Sequence, residues 1–206
     1  TSVAIAGDTV VVGAPWDARA AIGVNRDGTD NSAAKSGAAY VFTRLGEVWT
    51  QQAYLKPTNT NPSDLFGTSV ALSGDTVLVG APGESSSSTE INRNFFNNSA
   101  RDAGAAYVFI RRDGIWSQQA YLKATNTDAG DQFGASVAVW GNTAVVGAPG
   151  EAGGGSGASA SEEDDSAPFA GAVYVFARLG SAWSPQAYLK SSGARAYQSF
   201  GECVSV

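Results

Sequence analysis

The chain contains no histidine, no methionine and a single cysteine, Cys203. The absence of histidine removes the commonest general base and the commonest ligand of transition metals. With one thiol, the chain can form neither an intrachain disulfide nor a zinc site of clustered cysteines. No apolar run approaches the ~20 residues that span a bilayer, so we expect no membrane span.

Basic residues are also scarce. Lys and Arg number 13 against 19 Asp and Glu, which gives a formal net charge of −6. The basic residues are scattered, whereas phosphate binding requires clustered positive charge, and we therefore expect no nucleic-acid partner. The chain also lacks an initiator Met and a signal peptide and opens inside a strand pattern, so we interpret it as a mature or excised portion of a longer protein.

What the sequence does contain is a repeat of 67 residues. Three motifs recur at this spacing: Ser-Val-Ala from residues 2, 69 and 136, Gly-Ala-Pro from 13, 80 and 147, and Gly-Ala-(Ala/Val)-Tyr-Val-Phe from 37, 104 and 171. We assign residues 1–206 to one segment with repeats 2–68, 69–135 and 136–202, and residues 203–206 to the opening strand of a fourth repeat.

Each repeat contains four strand-like segments rich in Val, Ile, Tyr, Phe and Trp and bounded by turn residues. In the first repeat we predict strands at Ser2–Ala6, Thr9–Gly13, Ala38–Arg44 and Trp49–Lys56. No segment shows helical periodicity. The predicted fold is all-β, with each repeat a four-stranded antiparallel blade of a β-propeller and with about three blades in the chain.

The pairs Phe66-Gly67 and Phe133-Gly134, each followed by Gly-Ala-Pro at residues 80 and 147, resemble FG-GAP repeats. These repeats form the blades of the integrin α-subunit propeller and of many bacterial surface proteins. The resemblance implies a seven-bladed propeller, an extracellular or cell-surface location and cell adhesion through binding of other proteins or surface ligands.

The chain departs from integrin-type blades at the calcium loop. Blades that bind calcium carry an Asp-rich loop between their first two strands, whereas this chain has only Gly7-Asp8, Gly74-Asp75 and Gly141-Asn142 there. One carboxylate in a two-residue turn cannot supply the six or more oxygens that calcium prefers. We therefore expect no metal and no cofactor, with calcium left open only because other loops are acidic.

The long, divergent segments all join the second strand to the third, and the blade topology places them on one face together with the inter-repeat segments. The former are Trp16–Ser36, Gly83–Ala103 and Gly150–Ala170, and the latter are Pro57–Leu65, Ala124–Gln132 and Ser191–Ser199. Recognition often uses loops on a rigid scaffold. Long loops also tolerate drift, so both readings stay open.

Candidate ligand-binding residues lie in these segments. Asn25, Asp27 and Asp30 alternate around a Gly like a small cation loop, and the aligned third segment holds the acidic residues Glu162, Glu163, Asp164 and Asp165. The second copy loses the charges, so Asx-turns and a solvated charge run are the favoured alternative.

Apolar candidates in the same loops are Phe95, Phe96 and Phe169, which either contact a partner or fold back over the blade edge; we favour the second. The repeated aromatics are expected in the core between blades: Phe42, Trp49, Tyr54, Phe66 and their copies. Asp64 and Asp131 are predicted to accept backbone N–H groups, with Gln198 in their place in the third copy. Cys203 aligns with Ser2 and is predicted to be a small buried residue.

No nucleophile with a base and no rigid carboxylate pair is recognisable, so we expect no enzyme activity. The leading hypothesis is an extracellular binding or adhesion module that recognises a protein or glycan through its second-to-third-strand loops. One alternative is a structural repeat that self-associates, for example two chains completing a ring of about six blades. Another is a non-catalytic propeller attached to an enzyme in a longer protein.

Overall fold

The computed structural model describes residues 2–26, 29–159 and 164–206. They form three four-stranded antiparallel sheets, here called blades 1, 2 and 3. Blade 1 consists of β1 (Val3–Ala6), β2 (Thr9–Ala14), β3 (Ala38–Leu45) and β4 (Val48–Leu55). Blade 2 consists of β5 (Ser69–Ser73), β6 (Thr76–Ala81), β7 (Ala105–Arg112) and β8 (Ile115–Leu122). Blade 3 consists of β9 (Ser136–Trp140), β10 (Thr143–Ala148), β11 (Ala172–Leu179) and β12 (Ala182–Leu189).

Within each blade the strands pair in sequence order, as a meander. The first two strands of blade 1 join through a tight turn at Gly7, whose φ of 56° favours glycine. A shift of register between the third and fourth strands recurs in all three blades, at Val41/Phe42 in the first. The predicted fold class of propeller-type blades is therefore confirmed.

The blades stack face to face through two clusters of buried residues. One cluster joins blades 1 and 2 and includes Val41, Phe66 and Phe109, and the other joins blades 2 and 3 and includes Val108 and Phe176. Burial of these apolar surfaces supplies most of the stabilisation of the stack.

The glycines of the repeated motifs allow this close approach. A Cβ atom on Gly80 would lie 1.9 Å from the carbonyl oxygen of Gly134, and the same contact recurs between Gly147 and Gly201. A side chain at Gly80 would therefore force the strand away from the segment that leads into the next blade.

Polar side chains also cross each junction. Trp116 Nε1 donates to Gln52 Oε1 of the preceding blade at 2.8 Å, and Arg111 Nη1 donates to Gln52 and to Thr9 Oγ1. Trp183 and Arg178 repeat this arrangement with Gln119 and Thr76 at the second junction. We call this set of bonds the junction clamp.

The predicted aromatic core holds at the two internal junctions and fails at the outer faces. Trp116 is 3% exposed, whereas Trp49 is 41% exposed and Phe42 is only half-buried, because no sheet of the described residues packs on that side of blade 1. Phe200 is 37% exposed on the far side of blade 3 for the same reason.

Residues 203–206 form no strand, and no strand of the described residues pairs with them. Their assignment to the opening of a fourth repeat stays a prediction. Cys203 is exposed, so the expectation that it is buried was wrong. No helix in the described part of the chain is long and apolar enough to cross a membrane.

Candidate functional site

The segments between the second and third strands lie on one side of the blades together with the inter-repeat segments, and we call this side the loop face. Its described residues are 15–26, 29–37, 82–104, 149–159 and 164–171, with 56–68, 123–135 and 190–200. The first segment is fixed to its own blade, since Asn25 N–H donates to the Tyr54 carbonyl and Asn25 Oδ1 accepts the Tyr54 N–H, both at 2.8 Å. Asn92 makes the same pair of bonds with Tyr121 in blade 2. These loops are therefore held against the fourth strand.

A buried ionic network lies beneath the loop face. In blade 2 the carboxylate of Glu84 accepts bonds from Tyr121 OH at 3.0 Å and from Lys123 Nζ at 3.3 Å. Asn59 of the preceding inter-repeat segment donates to the same carboxylate at 3.3 Å and accepts a bond from Tyr107 OH. Because both Glu84 and Lys123 are fully buried, the network fixes the start of the loop to the end of the strand.

The network recurs in the other two blades with changes. In blade 3, Glu151 accepts bonds from Tyr188, Lys190 and Asn126. In blade 1, Asp17 takes the place of the glutamate, and Tyr54 OH donates to it at 3.1 Å and Tyr40 OH at 3.0 Å.

Lys56 lies 4.0 Å from Asp17 and donates instead to Ser36 Oγ and to the Gly37 carbonyl. Arg19 contributes its backbone N–H and lies over the Tyr54 ring. The first blade thus completes its network with its own residues.

Burial shifts the titration of these groups. It raises the pKa of Glu84 and lowers the pKa of Lys123, and the opposite charge of each partner counters the shift of the other. Burial also lowers the pKa of Lys56 to about 8, against which the charge of Asp17 acts. The pairing of opposite charges therefore offsets part of the cost that burial places on the charged forms.

The inter-repeat segments end in buried carboxylates, as predicted from the sequence. Asp64 Oδ2 accepts the Asn61 N–H at 2.7 Å, and Asp131 makes the equivalent bond. Gln198 accepts the Arg195 N–H in the third copy, so the amide keeps the turn without the charge. Burial raises the pKa of Asp64 and of Asp131 to about 7.

The two described candidates of the small cation loop, Asn25 and Asp30, use their side-chain oxygens in local hydrogen bonds. Asn25 uses its side-chain oxygen for the backbone of β4, and Asp30 Oδ1 accepts the Ser32 N–H in an Asx-turn. Asp27 lies outside the described residues. The favoured interpretation of this segment as Asx-turns is supported at Asp30.

The acidic run is only partly described, since Glu162 and Glu163 lie outside the described residues. Asp164 Oδ1 accepts the Ser166 N–H, and Asp165 is exposed. Hydrogen bonds from Ser166 lower the pKa of Asp164, whereas burial raises that of Asp165. Among residues 2–26, 29–159 and 164–206 no group of three or more acidic or thiol side chains is placed to hold a metal ion.

The three candidate phenylalanines differ. Phe95 folds back onto the blade, with its ring 5.8 Å from the ring of Tyr121, as we expected for all three. Phe96 is 75% exposed, and Phe169 is also exposed, so the expectation was wrong for both. Among ring neighbours in the described part of the chain, Phe96 contacts Phe95, with ring centroids 4.6 Å apart.

Phe169 stacks on Tyr197, with ring centroids 5.8 Å apart and an angle of 16° between the planes. Tyr197 is 77% exposed and was not selected from the sequence. Its counterparts in the first two repeats are Ser63 and Gly130. This departure from the repeat was the feature of the sequence from which Tyr197 could have been selected. The loop face therefore presents Phe96, Phe169 and Tyr197 as exposed aromatic side chains, besides Trp16 and Phe200.

A groove recurs at the outer side of both junctions. The first, of about 670 Å³, lies between residues 20–24 of blade 1 and residues 116–118 of β8 and includes Arg26. The second, of about 410 Å³, includes Ile91 and Trp183 at the equivalent positions. Each groove lies between the second-to-third-strand loop of one blade and the fourth strand of the next blade.

The FG-GAP repeat family matches this chain at residues 49–109 and 116–160, which together are just over half of its length. The chain belongs to the FG-GAP repeat family. A comparison with curated proteins finds no match. The matched FG-GAP residues include most of blade 2, with the Phe66-Gly67 and Gly80-Ala81-Pro82 motifs. The glycine contacts described above give the family motif its physical meaning.

Proposed function

We propose that this FG-GAP chain is a non-catalytic extracellular binding module that recognises a protein or glycan through its loop face. The observation that carries the proposal is the presence of exposed aromatic side chains on that face, among them Phe96, Phe169 and Tyr197. Aromatic side chains are enriched among the residues that dominate binding energy, because they bury a large area at a low entropic cost.

The scaffold beneath these side chains supports the proposal. The loops that carry Phe96 and Phe169 begin next to Glu84 and Glu151, which are buried and bonded to lysine and tyrosine. A loop that is already ordered loses less entropy when it binds a partner. Family membership favours an extracellular location, and a single cysteine is compatible with an exported protein as much as with a cytosolic one.

The proposal is tested with a triple substitution, Phe96→Ser, Phe169→Ser and Tyr197→Ser, on arrays of glycans and of extracellular proteins. The matched control replaces Leu45, Ile115 and Leu179 by Ser, since these are three highly exposed apolar side chains at the strand ends on the opposite face. We expect the loop-face variant to lose the binding that the wild type shows and the control to retain it. Equal binding by all three proteins would contradict the proposal.

We further propose that binding does not depend on calcium, since the turns between the first two strands lack the Asp-rich loop. Chelation should leave both binding and the melting temperature unchanged. A melting temperature that rises with added calcium would show instead that the acidic loops hold the ion, because a ligand of the folded state stabilises it.

A further inference from the structure

A small basic pocket lies at the junction of blades 2 and 3, on the side of the blades opposite the loop face. We call this side the turn face, because it carries the tight turns within each blade. The pocket has a volume of about 210 Å³, and its charged lining residues are Asp75, Arg111 and Arg112 of blade 2 and Arg178 of blade 3. Three arginines against one aspartate give it a net charge of +2, in a chain whose net charge is −6.

Arg178 has no acidic partner among the described residues. In blade 2 the equivalent Arg111 donates through Nε to the carboxylate of Asp75 at 2.7 Å, and blade 1 repeats this pair. Blade 3 has Asn142 in place of the aspartate, so Arg178 Nε donates to a neutral amide oxygen at 3.0 Å. Its other acceptors are also neutral: Thr76 Oγ1, Gln119 Oε1 and the Gly141 carbonyl. Burial lowers the pKa of Arg178, and the guanidinium keeps a positive charge that no carboxylate balances.

Arg112 adds a second unbalanced charge to the pocket. It is exposed at the end of β7, and its guanidinium forms no ion pair or hydrogen bond with another described residue. Asp113 follows it in the sequence but does not line the pocket. Asp75 does line the pocket, but its carboxylate already accepts the bond from Arg111. Two guanidinium groups, from positions 66 residues apart in the sequence, therefore meet here without a counter-charge.

The first junction shows that these charges are particular to the second. The positions 67 residues earlier hold Leu45 in place of Arg112 and Asp113 in place of Gly180. The other charged positions there are Asp8, Arg44 and Arg111, so that arginines and aspartates are equal in number. Since the same clamp holds both junctions, the extra positive charge is not needed to hold the blades together.

We propose that this pocket binds a tetrahedral oxyanion, a phosphate or sulfate group, between Arg112 and Arg178. The N–H groups of a guanidinium match the oxygens of such an anion. Arg178 has one N–H of Nη2 left after its bonds within the protein, and the guanidinium of Arg112 has all of its own. A volume of about 210 Å³ is ample for one such group, since a water molecule takes about 30 Å³. The pocket is open to solvent, so it accepts a free ion or the ester of a larger molecule.

The test titrates inorganic phosphate, and separately inorganic sulfate, into the full chain by isothermal calorimetry near neutral pH. The ionic strength is kept low because salt screens exposed charges, and chloride serves as the anion without tetrahedral oxygens. We expect a single oxyanion to bind to each chain and chloride not to saturate. The absence of saturable binding of either oxyanion up to about 10 mM, which detects dissociation constants near 1 mM, would overturn the proposal.

Two substitutions copy the first junction into the second. Asn142→Asp gives Arg178 an acidic partner and keeps the acceptor for its Nε. Arg112→Leu introduces the residue that the first junction has at Leu45. Each should weaken binding by about tenfold or more, because each cancels one of the two unbalanced charges. Equal affinity of the wild type and a folded Asn142→Asp protein would overturn the proposal.

The matched control is Asn98→Asp, which makes the same change at an exposed position of the loop face. It should bind phosphate as the wild type does. A loss as large as that of Asn142→Asp would show an effect of net charge alone and would contradict a site at this junction.

Glucose 6-phosphate, with glucose as the neutral control, distinguishes the two sources of the group. Tighter binding of the ester than of inorganic phosphate supports the site with a conjugated ligand, and equal or weaker binding supports it with a free ion. Binding of glucose as tight as that of its phosphate would contradict it. None of these substitutions changes a loop-face aromatic side chain, so failure here and failure of the proposed function are distinguished.

Discussion

The buried pair of Glu84 and Lys123 allows the sharpest prediction of stability. Glu84→Gln keeps the shape of the side chain and its contact with Tyr121, but removes the negative charge 3.3 Å from Lys123 Nζ. Lys123 then retains the carbonyl of Gly104 as an acceptor at 2.6 Å. The substitution therefore isolates the cost of leaving a buried ammonium group without its counter-charge.

The cost has a lower and an upper limit. Removing one partner of a buried ion pair typically costs about 3–5 kcal/mol. Lys123 can also become neutral by losing a proton, which avoids the buried charge. From an ordinary lysine pKa near 10.4, this deprotonation costs about 5 kcal/mol at pH 7. We therefore expect the free energy of unfolding to fall by about 3–5 kcal/mol at pH 7.

The sign of the pH dependence follows from the same argument. Without Glu84, the pKa of Lys123 in the folded protein lies further below that in the unfolded chain, so the unfolded state binds more protons. Stability then rises with pH, and the deficit of Glu84→Gln should shrink between pH 7 and 9 by up to about 1.4 kcal/mol per pH unit.

Urea unfolding followed by circular dichroism measures both effects. The matched control is Glu90→Gln, because Glu90 pairs with Arg93 at 3.4 Å with both side chains about 70% exposed. An exposed pair of this kind contributes about 0–1 kcal/mol. The reasoning is refuted if Glu84→Gln costs no more than Glu90→Gln, or if its deficit grows with pH.

Two further predictions concern the inter-repeat turn and the junction clamp. Because the pKa of Asp64 is raised to about 7 in the folded protein, the stability that this carboxyl contributes is present below about pH 3.8 and is lost as the pH rises to about 7. Asp64→Asn keeps an acceptor for the Asn61 N–H and should flatten this decline of the melting temperature with pH. An unchanged slope would contradict the prediction. Trp116→Phe removes the donor to Gln52 and should lower the free energy of unfolding, measured in urea, by about 1–3 kcal/mol. Trp49→Phe, at the equivalent but exposed position of the first blade, should lower it by less. Equal decreases would show that the clamp contributes nothing to stability.

The fold was predictable because the repeat supplies its own alignment. The predicted strands of the first repeat agree with β1 to β4 within one residue at each end, since turn glycines and alternating apolar residues recur at fixed places. The sequence pattern could not show which faces of the blades are left uncovered by another sheet. Trp49 and Phe200 carry the core signature and are exposed, because burial depends on a neighbouring blade and not on the local sequence.

The candidate site was predictable only in its location. The loop face follows from topology, but Asn25 was read as a possible ligand, and its amide instead bonds the backbone of β4. The buried ion pairs were missed although a signal existed. A lysine ends each fourth strand, and an acidic residue stands two positions after each Gly-Ala-Pro, at Asp17, Glu84 and Glu151. A lysine repeated at the end of an apolar strand indicates a buried partner rather than a solvated charge.

The contrast between repeated and unrepeated residues bears on stoichiometry. The ion networks and the clamp recur in successive blades and hold the scaffold together. Phe169 aligns instead with Lys35 and Asp102, and Tyr197 with Ser63 and Gly130, so the stacked pair has no counterpart in the other blades. A ligand that binds through this pair meets it once in each chain. If the proposed function is correct, titration should therefore saturate at one ligand per chain, whereas three per chain would place recognition in features that all three blades share.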